Sequence, residues 1–221
     1  MQTQPTARQS ATKPPRKEQI EIAPSILYFG TPVALVTTLD EAGRSNITPM
    51  SSVWALGDRL VLGLSQSSAG ARNLQRAGEC VVNMACADQW ASVEAISRTT
   101  GREDVPEYKR ETGYEYEPDK FSLGGFTALP AVDVRAPRIA ECALQFEARV
   151  VSRHAAVHVE GNEEPGFVIF EAIVLRTHAH REIVRPGTQR IDTSAWKPLL
   201  YVFRHYFGTG PRLAQNFRAE A

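Results

Sequence analysis

The chain has 221 residues, 43% of them hydrophobic and 23% charged, with 25 basic and 25 acidic side chains. This composition suits one folded domain of ordinary size, and its neutrality leaves no long-range field to favour nucleic acid or an anionic membrane. No apolar run approaches the roughly 18 residues that a membrane span needs.

Charge is nevertheless uneven. Residues 1–20 hold Arg8, Lys13, Arg16 and Lys17 against Glu18, a net of +3 that leaves −3 on the remainder. The segment is rich in Gln, Thr and Pro and nearly free of large apolar side chains, so it cannot bury enough surface to order itself. It reads as a disordered basic tail over 1–20, ahead of a single domain over 21–221. The N-terminus lacks the apolar core of a signal peptide. Three cysteines, Cys80, Cys86 and Cys142, lie in apolar contexts with no CxxC. Buried, reduced thiols and a cytoplasmic location are expected.

In chain order, residues 33–39 (VALVTTL) read as a β-branched strand, followed by the turn composition Asp40-Glu41-Ala42-Gly43 and a return over 44–48. Residues 46–52 (NITPMSS) look too polar for a core strand, and Pro49 removes a ladder donor, so a loop is expected. Residues 53–56 and 59–64 flank Gly57-Asp58, a pair suited to a type II′ turn. Leu60, Leu62 and Leu64 alternate with Val61 and Gly63, which predicts a strand apolar on both faces. A helix is expected over 68–77, capped by Ser67 or Ser68 and stopped by Gly78. A strand follows over 80–85, then a second helix capped by Asp88, with Trp90, Val93 and Ile96 at helical spacing.

Residues 101–120 differ in kind: 11 of the 20 are charged, with Tyr108, Tyr114 and Tyr116 interleaved. They read as a solvated excursion or a lid. Residues 139–151 and 167–175 are the longest late strands, and Gly161-Asn162 and Pro165-Gly166 between them favour antiparallel pairing. Residues 201–207 form an aromatic strand ending at Gly208. Strands dominate and βαβ alternation is absent, which favours a β-barrel with peripheral helices.

Two segments could carry chemistry. Ser65, Ser67 and Ser68 precede a helix start, with Arg72 and Asn73 one turn on; free amides, the helix dipole, hydroxyls and a guanidinium together suit a phosphate. A plain N-cap with a surface arginine is the simpler alternative. Asn46, Thr48, Pro49, Met50, Ser51, Ser52, Val53 and Trp54 could bond the polar edge of a planar ring and pack its face, or form an exposed loop. His178 and His180, and His154 and His158, are not spaced for a metal site with a second motif, so no metal is expected. GxSxG, GxGxxG and GxxxxGK[ST] are all absent.

The order of these pieces resembles the flavin reductase-like (FMN-binding split-barrel) family. The matching segments are SNITPMSSVWALGDRLVLGL, SSAGARNLQRAGECVVN, PRIAECALQFEARVV and RHYFGTG. The resemblance implies a mainly β fold, a Greek-key split β-barrel of the FMN-binding type with short peripheral helices, assembled as a homodimer with flavin near the subunit interface. FMN would be the cofactor, FAD an alternative, and NADH or NADPH the reductant. Carried over by position, residues 46–54 would line the isoalloxazine and ribityl chain and residues 65–73 would hold the phosphate. Relatives often place threonine where Ala71 stands, a lysine or serine-rich turn where Ala69-Gly70 stands, and a Gly-Asp-His element where this chain has Gly161-Asn162-Glu163-Glu164-Pro165. Arg204, His205 and Tyr206 are the candidates for the nicotinamide side. The implied function is flavin-dependent oxidoreduction, with electrons passing from NAD(P)H to a monooxygenase or another acceptor. A flavin-binding electron carrier or sensor, and an oxidoreductase acting on an organic substrate, are the alternatives.

Overall fold

The computed structural model describes residues 17–155 and 166–217. Most of the expected tail, His158 and the 161–165 segment lie outside the described residues.

The elements run β1 (Phe29–Pro32), β2 (Ala34–Leu39), β3 (Ser45–Met50), β4 (Val53–Leu56), β5 (Arg59–Ser65), α1 (Ala69–Ala77), β6 (Glu79–Met84) and α2 (Trp90–Ser97). Next come β7 (Thr99–Thr100), α3 (Glu107–Glu111), β8 (Glu115–Tyr116), α4 (Lys120–Gly124), β9 (Ala128–Leu129) and β10 (Arg138–Ile139). The long pair β11 (Leu144–Ala155) and β12 (Phe167–Ala179) and the short pair β13 (Leu200–Val202) and β14 (His205–Phe207) complete the chain.

Seven strands form one antiparallel sheet in the order β3-β2-β6-β11-β12-β5-β4. Laid flat, seven strands would separate the two edges by about 29 Å. Yet the edge strands β3 and β4 are joined by Ser51 and Ser52 alone, a link of at most about 11 Å. The sheet must therefore curl until its edges meet, and Gly63 N–H on Ser52 O at 2.9 Å pins the corner. No ladder joins β3 to β4 among the described residues, so the curl is a split barrel rather than a closed one.

Its inside is packed by Val36, Leu62, Leu64, Leu74, Val82 and Phe170, with α1 as a plug. A second core outside the curl sets Leu35, Ile47, Val93, Ile96, Phe121 and Ile139 against α2 and α4. Two cores explain why β2 and β6 are buried along nearly their whole length on both faces.

Several expectations need correction. Residues 46–50 belong to strand β3, not to a loop. Pro49 is tolerated because β3 is an edge strand and its outer side needs no donor. The strand expected over 139–151 is broken after Ile139: Gln145 Nε2 donates to Ile139 O (2.6 Å) and Cys142 O (2.8 Å), turning the chain before β11 begins. Residues 201–207 are a hairpin, not one strand, with Phe203 and Arg204 in the turn at φ +43° and +71°. Asp88 lies within a short 3₁₀ turn and caps nothing; Gln89 Oε1 takes the Cys86 amide instead. Trp90 is exposed, while Val93 and Ile96 are buried as expected.

Candidate functional site

The β5–α1 junction is built by local chemistry. Ser68 is the N-cap of α1, its Oγ accepting from Ala71 N–H at 3.1 Å, and Gly78 ends the helix at φ +67°. By position, the amides of Ala69 and Gly70 have no intrahelical acceptor, and they sit at the positive end of the helix dipole. Gly70 has no room for a side chain: a Cβ there would lie 2.4 Å from Thr48 Oγ1. The helix start is thus pressed directly onto β3, and the small run Ala69-Gly70-Ala71 is what that contact requires.

Between β3, β5 and the start of α1 lies a cavity of about 280 Å³, closed from beyond by residues 99–101, Lys109, Tyr114 and Lys120. Its polar lining includes Asn46, Thr48, Ser52, Ser65 and Ser68, and it contains no carboxylate. Asn46 is buried; its Nδ2 donates to Thr48 Oγ1 at 3.0 Å, while its Oδ1 has no partner. A buried acceptor without a donor costs free energy unless a ligand or water supplies one. Past Tyr28, Ser52 and Gly63 the cavity opens into an apolar groove of about 920 Å³ floored by Val53, Trp54, Val61, Phe167 and Ile169. A polar pocket thus meets an apolar groove at the Ser51-Ser52 corner.

The charged excursion folds over this cavity. Its ends are tied by the parallel β7–β8 pair, and α3 lies between them. Tyr108 bonds through its hydroxyl to Ser67 Oγ, which also meets Ser65 Oγ at 2.9 Å. Arg102 Nη1 donates to Ser67 O at 2.8 Å. Lys120, at the head of α4, is buried, and its Nζ donates to Ile47 O (3.1 Å) and Thr99 O (3.0 Å). Burial, and secondarily the Lys109 charge, bring its pKa down to about 8. Burial likewise lowers that of Lys109.

The sequence comparison decides what this arrangement belongs to. The model of the flavin reductase like domain matches residues 26–210. The Bacillus subtilis (strain 168) protein YdfE, itself uncharacterized, is 41% identical over 201 residues, covering 90% of this chain and 94% of its own. The chain belongs to the flavin reductase-like family. Solved structures share the fold: flavoredoxin from Methanosarcina acetivorans superposes with a TM-score of 0.71 at 19% identity, over 91% of this chain and 97% of its own. Nitrilotriacetate monooxygenase component B from Bacillus cereus gives 0.70 at 17% identity, over 90% and 100%.

The structure of this flavin reductase-like chain divides the residues expected from the sequence. Asn46, Thr48, Pro49, Met50, Ser52, Ser65 and Ser68 line the deep cavity, and Ser51, Val53 and Trp54 line the groove. Ser67 stands just behind them. Arg72 and Asn73 do not join: Asn73 is buried with its Nδ2 on Thr38 Oγ1 at 3.0 Å, a structural bond. Arg72 faces a different cleft of about 730 Å³, where it meets Asp104 at 3.4 Å. That cleft holds as many carboxylates as arginines, so its charges compensate one another.

Arg204, His205 and Tyr206 line neither the cavity nor the groove. Tyr206 donates to Glu94 Oε2 at 3.0 Å and approaches the site only through Tyr201, tilted against it, and Tyr28, edge-on to Tyr201. His178 Nε2 meets the buried Glu147 Oε1 at 2.6 Å, and His180 Nε2 meets Ala140 O at 2.9 Å, both in structural roles. Burial pushes the Cys80 thiol up to about 12 and raises those of Cys86 and Cys142, which keeps all three protonated and unreactive. Sequence reasoning missed Lys109 and Lys120 as the cations of the cavity. No local pattern marks them, because both arrive by the folding-over of the excursion.

Proposed function

We propose that this protein is an FMN-binding oxidoreductase that takes a hydride from NADH or NADPH and passes electrons to a separate acceptor, with the cavity and groove as its flavin site. The observation that carries this reading is the acid-free polar cavity beside an apolar groove, with the buried, unpartnered Asn46 Oδ1 inside it. The residues fit a flavin. Gly63 lines both spaces without a side chain to fill them, the apolar groove suits a ring face, and the hydroxyls and helix amides suit a phosphate. Bound flavin would supply the hydride-accepting and electron-carrying chemistry. The chain's own tasks are to orient the ring against Trp54 and Met50, to anchor the phosphate at Ser65 and Ser68 with Ser67 bracing Ser65 from behind, and to exclude water with the 101–120 excursion. No general base is needed for hydride transfer, which accords with a site that lacks a carboxylate.

Leu56, Phe29, Trp54 and Phe167 leave large apolar surface exposed around the groove, and a second copy of the chain is the occupant this reading places there. A monooxygenase is a reasonable acceptor, by analogy with the Bacillus cereus component B. The distance of Arg204, His205 and Tyr206 from the cavity favours one second reading, an electron carrier reduced by a protein donor rather than by a nicotinamide. The visible spectrum of the purified protein, followed by anaerobic mixing of the flavin-loaded protein with NADH or NADPH, separates them. Prompt bleaching of the flavin band supports the reductase. A yellow protein that bleaches only with a protein donor supports the carrier, and failure to bind FMN overturns both.

A further inference from the structure

The deep cavity holds two ammonium groups and no acid. Lys120 is 4% exposed and spends two of its three donors on Ile47 O and Thr99 O. Lys109 comes from α3 and lies 5.6 Å from the centre of the Tyr114 ring. Neither lysine forms an ion pair with a carboxylate among the described residues. The two also differ in how they are held. Lys120 heads α4, which packs Phe121 into the second core, whereas α3 buries no residue of its own. The α3 segment depends on polar ties: Tyr108 to Ser67 Oγ and Arg102 to Ser67 O.

We propose that a phosphate oxyanion bound between the fixed Lys120 and the carried Lys109 latches the 102–119 segment over the cavity. Without an anion the two ammonium groups share a desolvated space: burial lowers the pKa of both, and the Lys109 charge lowers that of Lys120 further. An anion between them turns repulsion into two charge-assisted bonds, and it makes those bonds only when α3 is down. Differential affinity for the closed arrangement is what shifts a population toward it. Resting on the flavin reading above, the inference allows two sources for the oxyanion: the phosphate of FMN and the pyrophosphate of the nicotinamide dinucleotide.

Limited trypsin digestion of the full chain reads the latch directly, since Arg102, Lys109 and Arg110 lie in the segment. Cleavage there is followed by mass spectrometry, and flavin binding separately by fluorescence quenching. At saturation, FMN should slow cleavage within the segment roughly tenfold more than riboflavin does, the scale of one charge-assisted contact. Protection by NADH instead of FMN would assign the oxyanion to the dinucleotide. Lys120→Met should abolish the phosphate-dependent part while riboflavin still binds. Should that variant fail to fold, Lys109→Met, at a half-exposed position, makes the same test with Arg110 as the reporter bond. Equal protection by riboflavin, FMN and NADH, or full FMN-specific protection in the folded lysine variants, overturns the latch. If wild-type protein quenches neither flavin, the flavin reading has failed, and inorganic pyrophosphate takes over as probe. Protection by it that needs Lys120 upholds the latch, and none rejects it.

Discussion

Single positions in this protein are constrained from several directions at once, and Gly70 shows it best. On helix propensity alone, Gly70→Ala within α1 should stabilise by about 1 kcal/mol. Its added Cβ, however, would fall 2.4 Å from Thr48 Oγ1 and 3.2 Å from Leu64 Cδ2. Both neighbours belong to strands of the main sheet, so relief requires moving α1 off β3. We expect net destabilisation of about 1–3 kcal/mol by urea unfolding, together with weaker FMN binding. A stabilised variant would show that the contact yields easily. Ser68 has an equally local role. Ser68→Ala removes the cap of α1 and should cost about 1 kcal/mol by the same measurement. It should also weaken FMN more than riboflavin if the cap hydroxyl and the helix amides meet a phosphate.

At the scale of elements, the pair β11–β12 holds more than a ladder. Glu147 on β11 is fully buried and accepts from the amides of Val132 and Asp133 and from His178 on β12. Asp133 in turn receives Arg176 at 2.7 Å, so one carboxylate pins the 130–136 loop across Val81. Burial by itself would raise the Glu147 pKa; the Asp133 and Val132 amides and the His178 ring outweigh it and hold the pKa below its ordinary 4.5. A depressed carboxyl contributes its stability in full above the unfolded pKa and loses it as pH falls through the folded one. Thermal midpoints should therefore fall on acidification below about pH 4.5. Glu147→Gln should be less stable by about 1–3 kcal/mol at neutral pH, because its amide nitrogen cannot accept from both loop amides. It should also show a shallower acid limb, and an unchanged limb would remove Glu147 from the acid response.

At the scale of the whole molecule, the curled sheet decides what is exposed. Trp54 is 57% exposed and Phe29 77%, beside a groove that opens on the candidate site. Apolar surface of this kind on a folded domain marks an interaction face. The proposed homodimer predicts that the parent chain sediments at equilibrium as a dimer and Trp54→Glu as a monomer, with loss of flavin affinity because the proposed ring site would lose a wall. A variant that remains dimeric would place the subunit contact elsewhere. No helix among the described residues is long and apolar enough to cross a membrane.

Much of the architecture was legible because it rests on short-range chemistry. The β2–β3 hairpin follows from its Asp40–Gly43 turn, the β4–β5 turn from Gly57 at φ +61°, and α1 from Ser68 and Gly78. Of the segment expected to meet a ring, Asn46 and residues 48–54 line the cavity and groove, while Ile47 is buried in the second core. The polar appearance of residues 46–50 misled because an edge strand may show polar groups and a proline on its open side. Periodicity carries no record of edge or centre. The site's cations were illegible for a different reason. Arg72 is near the serines in sequence but faces the charged cleft, where it meets Asp104, whereas Lys109 and Lys120 are remote in sequence and reach the cavity only after α3 and α4 fold across β3 and β5. Local caps, turns and alternation determined the elements by themselves. The curl of the sheet and the closure of the excursion, which depend on contacts across the whole chain, decided which charges face the cavity.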